Sequence, residues 1–271
     1  MEEVFVKQSF LHYQLQQGFH EIVLRDCENL QLHIEAGERI DATLLVTYDG
    51  LGSEMDVVVD MHQDAHIAIL FWNHMKEQLH MTQNIHAYAN AQAHIGFGDI
   101  NPCNSTYDIH VQLVQAGADV RLSSACVADH KHMKMTMEHT FAHTQGWMKN
   151  YAIVKEHGDY KMEATGVIVQ GANASVSHQT TRVLTLAQEQ TSEVIPVLLI
   201  DENEVKASHA TTLGQPDENQ LYYLQSRGLS RKQALGLLTA GYLMPILEVL
   251  PQLEIRERLQ REIEEKVMEN A

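Results

Sequence analysis

The sequence is poor in cysteine, in basic residues and in long apolar runs, and each shortage excludes a class of protein. Its three cysteines, Cys27, Cys103 and Cys126, are widely spaced and odd in number, so they cannot supply a disulfide framework or a four-thiolate metal site. The longest apolar run, residues 194–200, is far shorter than the roughly 20 residues of a membrane helix. The first residues, MEEVF, lack the basic start and apolar stretch of a secretory signal, so we expect no leader. We therefore expect a soluble protein of the reducing cytoplasm.

Charge excludes a further class and divides the chain into two regions. Lysine and arginine number 19 against 36 acidic residues, a net charge of −17, which repels phosphate backbones and argues against nucleic-acid binding. Residues 217–271 contain 7 basic and 9 acidic residues and no histidine, whereas all 17 histidines lie earlier. We predict a body at residues 1–215 and a C-terminal region at residues 216–271.

The body has the patterns of β-strands, and these patterns repeat. Residues 133–138 alternate strictly, which places three methionines on one face, and residues 67–72 form an apolar run typical of a strand buried on both faces. A small residue followed by an alternating strand recurs from positions 42, 65, 93, 118, 146, 174 and 203. Repeats of this kind bury their apolar faces by stacking on one another.

The repeat favours a mainly β protein that forms a parallel β-helix. An antiparallel sandwich is the competing architecture, because it also produces strands at regular spacing. In the β-helix, equivalent residues of successive coils lie side by side, so we expect His66 to stack on His94.

The C-terminal region has the signals of three helices. Asp217 and Gln220 have capping spacing for a helix that ends at Gly228, and Ser230 begins a second helix that ends near Gly241. A third helix is predicted over residues 252–268. It carries an apolar stripe of Leu259, Ile263 and Val267.

Three segments at the boundary between the two regions resemble the SufB/SufD family. Residues 196–200, 204–214 and 217–230 read PVLLI, EVKASHATTLG and DENQLYYLQSRGLS, which closely follow that family's signature. The resemblance implies a right-handed parallel β-helix with a small C-terminal α-helical domain, in agreement with the repeat. Family members usually carry an additional N-terminal region, so the chain resembles a short form.

The resemblance also implies a role and partners. It implies a non-catalytic subunit of the SUF complex that assembles iron–sulfur clusters, working with the ABC-type ATPase SufC and pairing with a second copy or with a SufB-type chain. The chain has no glycine-rich phosphate-binding motif of its own, so nucleotide would bind to the partner. The implied SufC-docking residues are Leu221, Tyr223, Leu224, Arg227 and Gly228.

Residue by residue, the chain resembles SufD more than SufB. The functional cysteine of SufB-type chains falls on Thr181, and the glutamate after their signature histidine falls on Ala210, whereas His209 matches the histidine of SufD-type chains. With so few thiolates, a transient iron–sulfur cluster would be shared at a subunit interface or would use histidine and carboxylate ligands. The candidate cluster or metal ligands are His209, Cys126 and Cys103.

Each candidate ligand can also be explained without a metal or a cluster. His209 could be hydrogen-bonded at an interface, and Cys126, in a predicted strand, could be a small buried apolar residue, as Cys27 could be. We expect Cys103, in the loop Asn101-Pro102-Cys103-Asn104, to be exposed and reactive.

Two other function classes stay open. His130 and His132 have the spacing of metal ligands on one strand face, with His139 and His143 close behind, although solvent-facing strand positions are the favoured explanation in a chain with 17 histidines. A His-rich metal-binding protein is therefore one alternative. A carbohydrate-active β-helix enzyme is the other, and it would require paired carboxylates in a cleft or a lysine–arginine pair on adjacent coils.

Overall fold

The computed structural model describes residues 2–4 and 10–270, which form a parallel β-solenoid of about eight turns followed by a few helices. The predicted β-helix is therefore confirmed and the sandwich is excluded. The strands are β1 Glu2–Val4, β2 Phe10–Leu15, β3 Gly18–Arg25, β4 Asn29–Ala36, β5 Asp41–Met61, β6 His66–Ala87, β7 Gln92–Asp99, β8 Asn104–Leu113, β9 Asp119–His139, β10 Gln145–Ile168, β11 Val176–Thr185, β12 Thr191–Ile200 and β13 Lys206–Gly214. The helices are α1 Glu218–Ser226, α2 Arg231–Leu243 and α3 Leu253–Asn270, with a 3₁₀ helix at Met244–Val249 between α2 and α3.

Corner residues with positive φ explain why small and amide-bearing residues recur along the sequence. Asp64 (φ 58°), Asn90 (φ 55°) and Gly117 (φ 79°) each occupy the left-handed region at equivalent corners of successive coils. The backbone N–H of Asp64 donates to the carbonyl of Ala89 one coil further on, at 2.9 Å. Glycine, asparagine and aspartate adopt this conformation more readily than other residues, which explains their presence at these three corners.

The register between coils differs from the register that the repeat suggested. Ala68 of β6 lies beside His94 of β7, whereas His66 lies beside Gln92, so the predicted stacking of His66 on His94 is wrong. The two Ala-His-Ile strings are displaced by two residues between their coils. A two-residue shift keeps every side chain on its original face of the sheet, and the alternating pattern therefore cannot detect it.

Burial explains both strand patterns that the sequence showed. Met133, Met135 and Met137 of β9 all point into the solenoid and are buried. In the apolar run of β6, the outward-facing Leu70 and Trp72 are also buried, because they pack in a second core with the 3₁₀ helix and α3. A helical layer over one sheet therefore makes that strand apolar on both faces.

The helices begin and end at the signals in the sequence, with one addition. The Asp217 side chain accepts the N–H of Asn219 at 2.8 Å, Ser230 and Gln233 form a capping box, and Gly228 (φ 96°) follows α1. The apolar stripe of α3 is buried, as predicted. However, α2 extends to Leu243 and continues into the 3₁₀ helix, which the sequence analysis missed.

Within the described residues, none of the helices is both long enough and apolar enough to span a bilayer.

Candidate functional site

The last coil, formed by β12 and β13, leaves the C-terminal end of the solenoid open. β13 pairs with β11, and within residues 2–4 and 10–270 no further strand lies beyond it in the sheet order. His209 of β13 lies beside Gln179 and continues a column whose earlier members, including Met148 and Leu122, are buried in the solenoid interior. His209 itself is exposed, because no coil covers it. The open end therefore presents an imidazole on an interior column.

The interior beneath His209 is polar. Ser177 and Gln179 are buried, and Ser177 Oγ and Gln179 Oε1 have no hydrogen-bond partner there, although Gln179 Nε2 donates to the carbonyl of Val197 at 2.9 Å. Thr181 is also buried and accepts from Asn150 Nδ2 at 3.4 Å. This end of the solenoid therefore combines an exposed imidazole with unpartnered oxygen atoms. Among the described residues no cysteine lies at this end, and Thr181 is the residue that the resemblance aligns with the SufB-type cysteine.

The three cysteines are all buried and do not reach the open end. Cys126 is a small apolar core residue, and its burial, together with the nearby Asp99 carboxylate, raises the pKa of its thiol. The coil of Cys126 is three coil spacings from that of β13, roughly 14 Å along the axis at about 4.8 Å per strand. The structure therefore does not bring Cys126 and His209 together.

Cys103 is fully buried, so the expectation that it is an exposed reactive thiol is wrong. The short loop before β8 turns its side chain inward, where Ser105 Oγ donates to Cys103 Sγ at 3.6 Å. Burial raises the pKa of the Cys103 thiol, which disfavours the thiolate that a metal would need. The polar residues around Cys103 suggested an exposed loop. In the structure they contribute backbone groups to a buried network.

That network is centred on a salt bridge that the sequence analysis missed. Lys131 Nζ lies 2.7 Å from Asp99 Oδ1, and both side chains are buried. Lys131 also donates to the carbonyl of Cys103 and to Ser105 Oγ, while the Tyr107 hydroxyl donates to Asp99 Oδ2 at 3.0 Å. A lysine in an alternating strand does not reveal its direction, because the neighbouring His130 and His132 are polar as well.

The residues implied in partner docking lie around a shallow groove between α1 and α2. Tyr223 is 56% exposed and lines the groove with the half-buried Leu224, while the Arg227 guanidinium lies 5.2 Å from the centre of the Tyr223 ring. Gly228 is exposed at the end of α1. Leu221, in contrast, is buried and anchors α1 from inside. The groove is thus an exposed apolar surface bordered by a cation.

The histidines that follow Cys126 separate into different environments. His130 and His132 face solvent, as their structural interpretation predicted, and both contact Asp159 of β10. His139 is fully buried, with its Nδ1 2.8 Å from Thr144 Oγ1, and burial lowers its pKa to about 4. His143 occupies a left-handed corner (φ 59°). These histidines therefore do not form a single four-ligand cluster.

The geometry of a carbohydrate-active enzyme is met only in part. Asp41 and Asp119 line one cleft, but they are three coil spacings apart, roughly 14 Å, beyond the 5–9.5 Å separation of paired glycosidase carboxylates. Arg121 and Lys149, on adjacent coils, do line a second cleft with His94. Burial and these two cations lower the pKa of His94 to about 4. Of the two features that would support this alternative, the structure therefore has the lysine–arginine pair on adjacent coils, whereas the two aspartates of the first cleft are too far apart to act as a carboxylate pair.

Comparison with known proteins identifies the family. The model of the SUF system FeS cluster assembly SufBD core domain matches residues 25–242, from the end of β3 into α2. The chain belongs to the SufBD family.

The relatives of this SufBD protein are iron–sulfur cluster assembly proteins. It is 35% identical over 124 residues to the iron–sulfur cluster assembly protein SufD of Bacillus subtilis, covering 46% of the chain and 28% of that protein. It is 34% identical over 86 residues to a SufBD family protein of Pyrococcus horikoshii, covering 32% of the chain and 19% of the relative. A SufBD family protein of Mycobacterium leprae is 27% identical over 148 residues, covering 55% of the chain and 17% of the relative. The matched segments therefore span less than a third of each relative's length.

The matching family model describes the core domain of iron–sulfur cluster assembly proteins. The matched range includes both the open end with His209 and the groove residues of α1.

Proposed function

We propose that this chain is a non-catalytic, SufD-like subunit of a cytoplasmic SUF complex and works with a SufC-type ATPase. The observation that carries the proposal is the position of His209, the one signature residue retained at the open end of a SufBD core. An exposed imidazole above unpartnered buried oxygen atoms supports a site that a second chain completes. The cluster is cargo of this site.

The cluster would be held between two chains. His209 supplies one neutral imidazole ligand, and the partner chain, a SufB-type chain or a second copy, covers the open end and supplies the remaining ligands. Thr181 and Ala210 leave this side of the interface without a thiolate or carboxylate at the positions that supply them in SufB-type chains. A SufB-type partner therefore fits the chemistry better than a second copy, because it would contribute thiolate.

The ATPase would dock on the groove between α1 and α2. Tyr223, which is exposed, lines it together with Leu224 and Leu238, and exposed aromatic and aliphatic residues of this kind are typical of a protein interface. Movement of the ATPase would reach the β-helix through α3 and the 3₁₀ helix, which pack on its outer face.

Two substitutions test the two halves of this proposal. Anaerobic reconstitution with a SufC-type ATPase and a SufB-type chain should yield sulfide-to-iron charge-transfer absorption, which His209→Ala should abolish while leaving co-elution intact. Tyr223→Ala should instead weaken co-elution with the ATPase. Tyr222→Ala is the matched control, because Tyr222 is more exposed but does not line the groove.

The outcomes separate the two roles. Unchanged cluster assembly with His209→Ala would remove the ligand role of the open end. Equal ATPase binding by the wild-type chain and the Tyr223 variant would remove the groove as the docking site.

A further inference from the structure

Two histidines and one aspartate converge on the outer face of the solenoid. His130 and His132 project from the same face of β9, and Asp159 of β10 lies directly beside His130 in the parallel register. His130 Nδ1 lies 3.1 Å and His132 Nε2 lies 3.0 Å from the same atom, Asp159 Oδ2. The two imidazole rings are 4.4 Å apart at their centres.

We propose that His130, His132 and Asp159 form a binding site for a divalent transition-metal ion such as Zn²⁺ or Fe²⁺. Two imidazole nitrogens and one carboxylate oxygen are the ligand set that these ions prefer in open, three-residue sites. The three ligand atoms all lie within 4.8 Å of one another, so small rotations of the side chains would bring them to bonds of about 2.0–2.2 Å.

The exposure of the three side chains leaves the remaining coordination positions free for water or for a donor from another molecule. His130, His132 and Asp159 are 47%, 35% and 35% exposed, respectively. Neutral histidines need only exchange tautomers to turn a nitrogen lone pair towards the ion. The site can therefore load and release a metal without unfolding of the coil.

Other histidine–carboxylate pairs on the same outer surface show why this group is distinct. Asp60 lies between two histidines as well, but His33 contacts its Oδ2 at 2.7 Å and His86 contacts its Oδ1 at 2.8 Å. Each oxygen of Asp60 therefore contacts a different histidine ring, whereas the rings of His130 and His132 both contact the same oxygen of Asp159. Among residues 2–4 and 10–270, His130, His132 and Asp159 are the one group of three such side chains whose ligand atoms are this close.

Neighbouring ion pairs fix the position of β9 and neutralise the lysines close to the two histidines. Lys131, between the two histidines, points inward and its ammonium group is anchored on Asp99 at 2.7 Å, which fixes this part of β9. Lys161 lies beside His132, but its ammonium group pairs with Glu193 at 2.9 Å. The net charge of −17 also attracts cations to the surface.

Cobalt titration of the purified, tag-free chain tests the site. The chain is used alone, without ATPase, sulfide or a second subunit, and Co²⁺ absorption is followed by competition with Zn²⁺. We expect one tight equivalent of metal in the wild type. His132→Ala and Asp159→Ala should each weaken it at least about tenfold, since even outer-shell substitutions cost 10–100-fold.

The Asp60 group provides the matched control. His33→Ala and Asp60→Ala remove an equivalent histidine–aspartate contact, so they should leave the tight equivalent intact. Asp159→Asn repeats the test without a change in shape if Asp159→Ala impairs folding. Equal losses in site and control variants, or a wild type without a discrete equivalent, would overturn the proposal. Because no cluster or partner is involved, this result is independent of the proposed assembly function.

Discussion

The buried pair of Lys131 and Asp99 shows how a single residue can stabilise several turns of a solenoid. Lys131 belongs to β9, whereas Asp99 ends β7, and the acceptors around the ammonium group come from the loop between β7 and β8. Charges in such an interior are tolerated only when they are paired and hydrogen-bonded. This pair therefore ties a corner loop to the neighbouring coil.

Removal of one partner should be far more costly than removal of both. Lys131→Met leaves Asp99 buried without its countercharge and should lower the free energy of unfolding by about 3–5 kcal/mol. The double variant Lys131→Met/Asp99→Asn should recover most of that loss, because no charge is left unpaired. Urea denaturation of both proteins measures the difference. A double variant no more stable than the single one would contradict this account.

His139 should make the protein sensitive to acid. Burial lowers the pKa of His139 to about 4 in the folded chain, against 6.5 ordinarily, so the unfolded chain binds a proton more readily. Stability is therefore complete above pH 6.5 and falls as the pH decreases towards 4, by about 3 kcal/mol from this residue. Urea midpoints measured between pH 7 and pH 4 test the effect.

The matching variant is His139→Gln, which keeps a polar side chain beside Thr144 but does not titrate. Its midpoint should vary less with pH than that of the wild type across the same interval. Parallel curves for the two proteins would show that His139 does not contribute. His94, with a similarly lowered pKa, should leave a residual slope in the variant.

At the scale of elements, the docking of the helices on the solenoid depends on small residues in β7. A Cβ atom at Gly98 would lie 2.1 Å from Cε3 of the Trp72 ring, and one at Gly96 would lie 2.7 Å from Cγ2 of Val249 in the 3₁₀ helix. The Trp72 ring is buried there, and its Nε1 donates to Glu262 of α3 at 3.0 Å. The glycines thus make room for the second core.

Gly98→Ala should displace the Trp72 ring and loosen the helices. Overpacking of this kind typically costs 1–3 kcal/mol, so we expect a loss of about 2 kcal/mol in unfolding free energy and a change in tryptophan fluorescence. Gly241→Ala in α2 is the control, because a Cβ there meets nothing within 4 Å and alanine favours a helix. If the Gly98 variant is as stable as the wild type, the helices packed on β7 can shift to accommodate the added methyl group without loss of stability.

At the scale of the whole molecule, the open end is the surface where we propose that a second chain binds. An uncovered strand edge promotes pairing with another chain unless it is protected. Leu213 of β13 continues the column of the buried Val183, yet it is 49% exposed. The apolar interior column that ends at Leu213 and the polar one that ends at His209 therefore both reach the surface at the open end.

Leu213→Glu should prevent association through the open end. We expect a reduced mass in light scattering of the chain mixed with a SufB-type partner, or of the chain alone if copies pair with each other, because the carboxylate would be buried without a partner. Leu51→Glu, at a corner where the leucine is already 62% exposed, is the control. Association that survives Leu213→Glu would place the interface elsewhere.

The sequence by itself determined the features that depend on neighbours along the chain. Alternation placed the methionines of β9 inside, Ser230 and Gln233 predicted the start of α2, and the signature around His209 predicted the family. Each signal arises within a few residues, because strand faces and helix caps are set locally. The recurring small residues predicted the β-helix for the same reason, since every coil needs a corner.

Only the tertiary structure decided which coils meet and where. The stacking of Asp159 on His130, the inward path of Lys131 and the burial of Cys103 all depend on the register between coils. The alternating pattern leaves that register undefined by multiples of two residues. The exposure of His209 likewise follows from the end of the solenoid, because the same column is buried wherever another coil covers it.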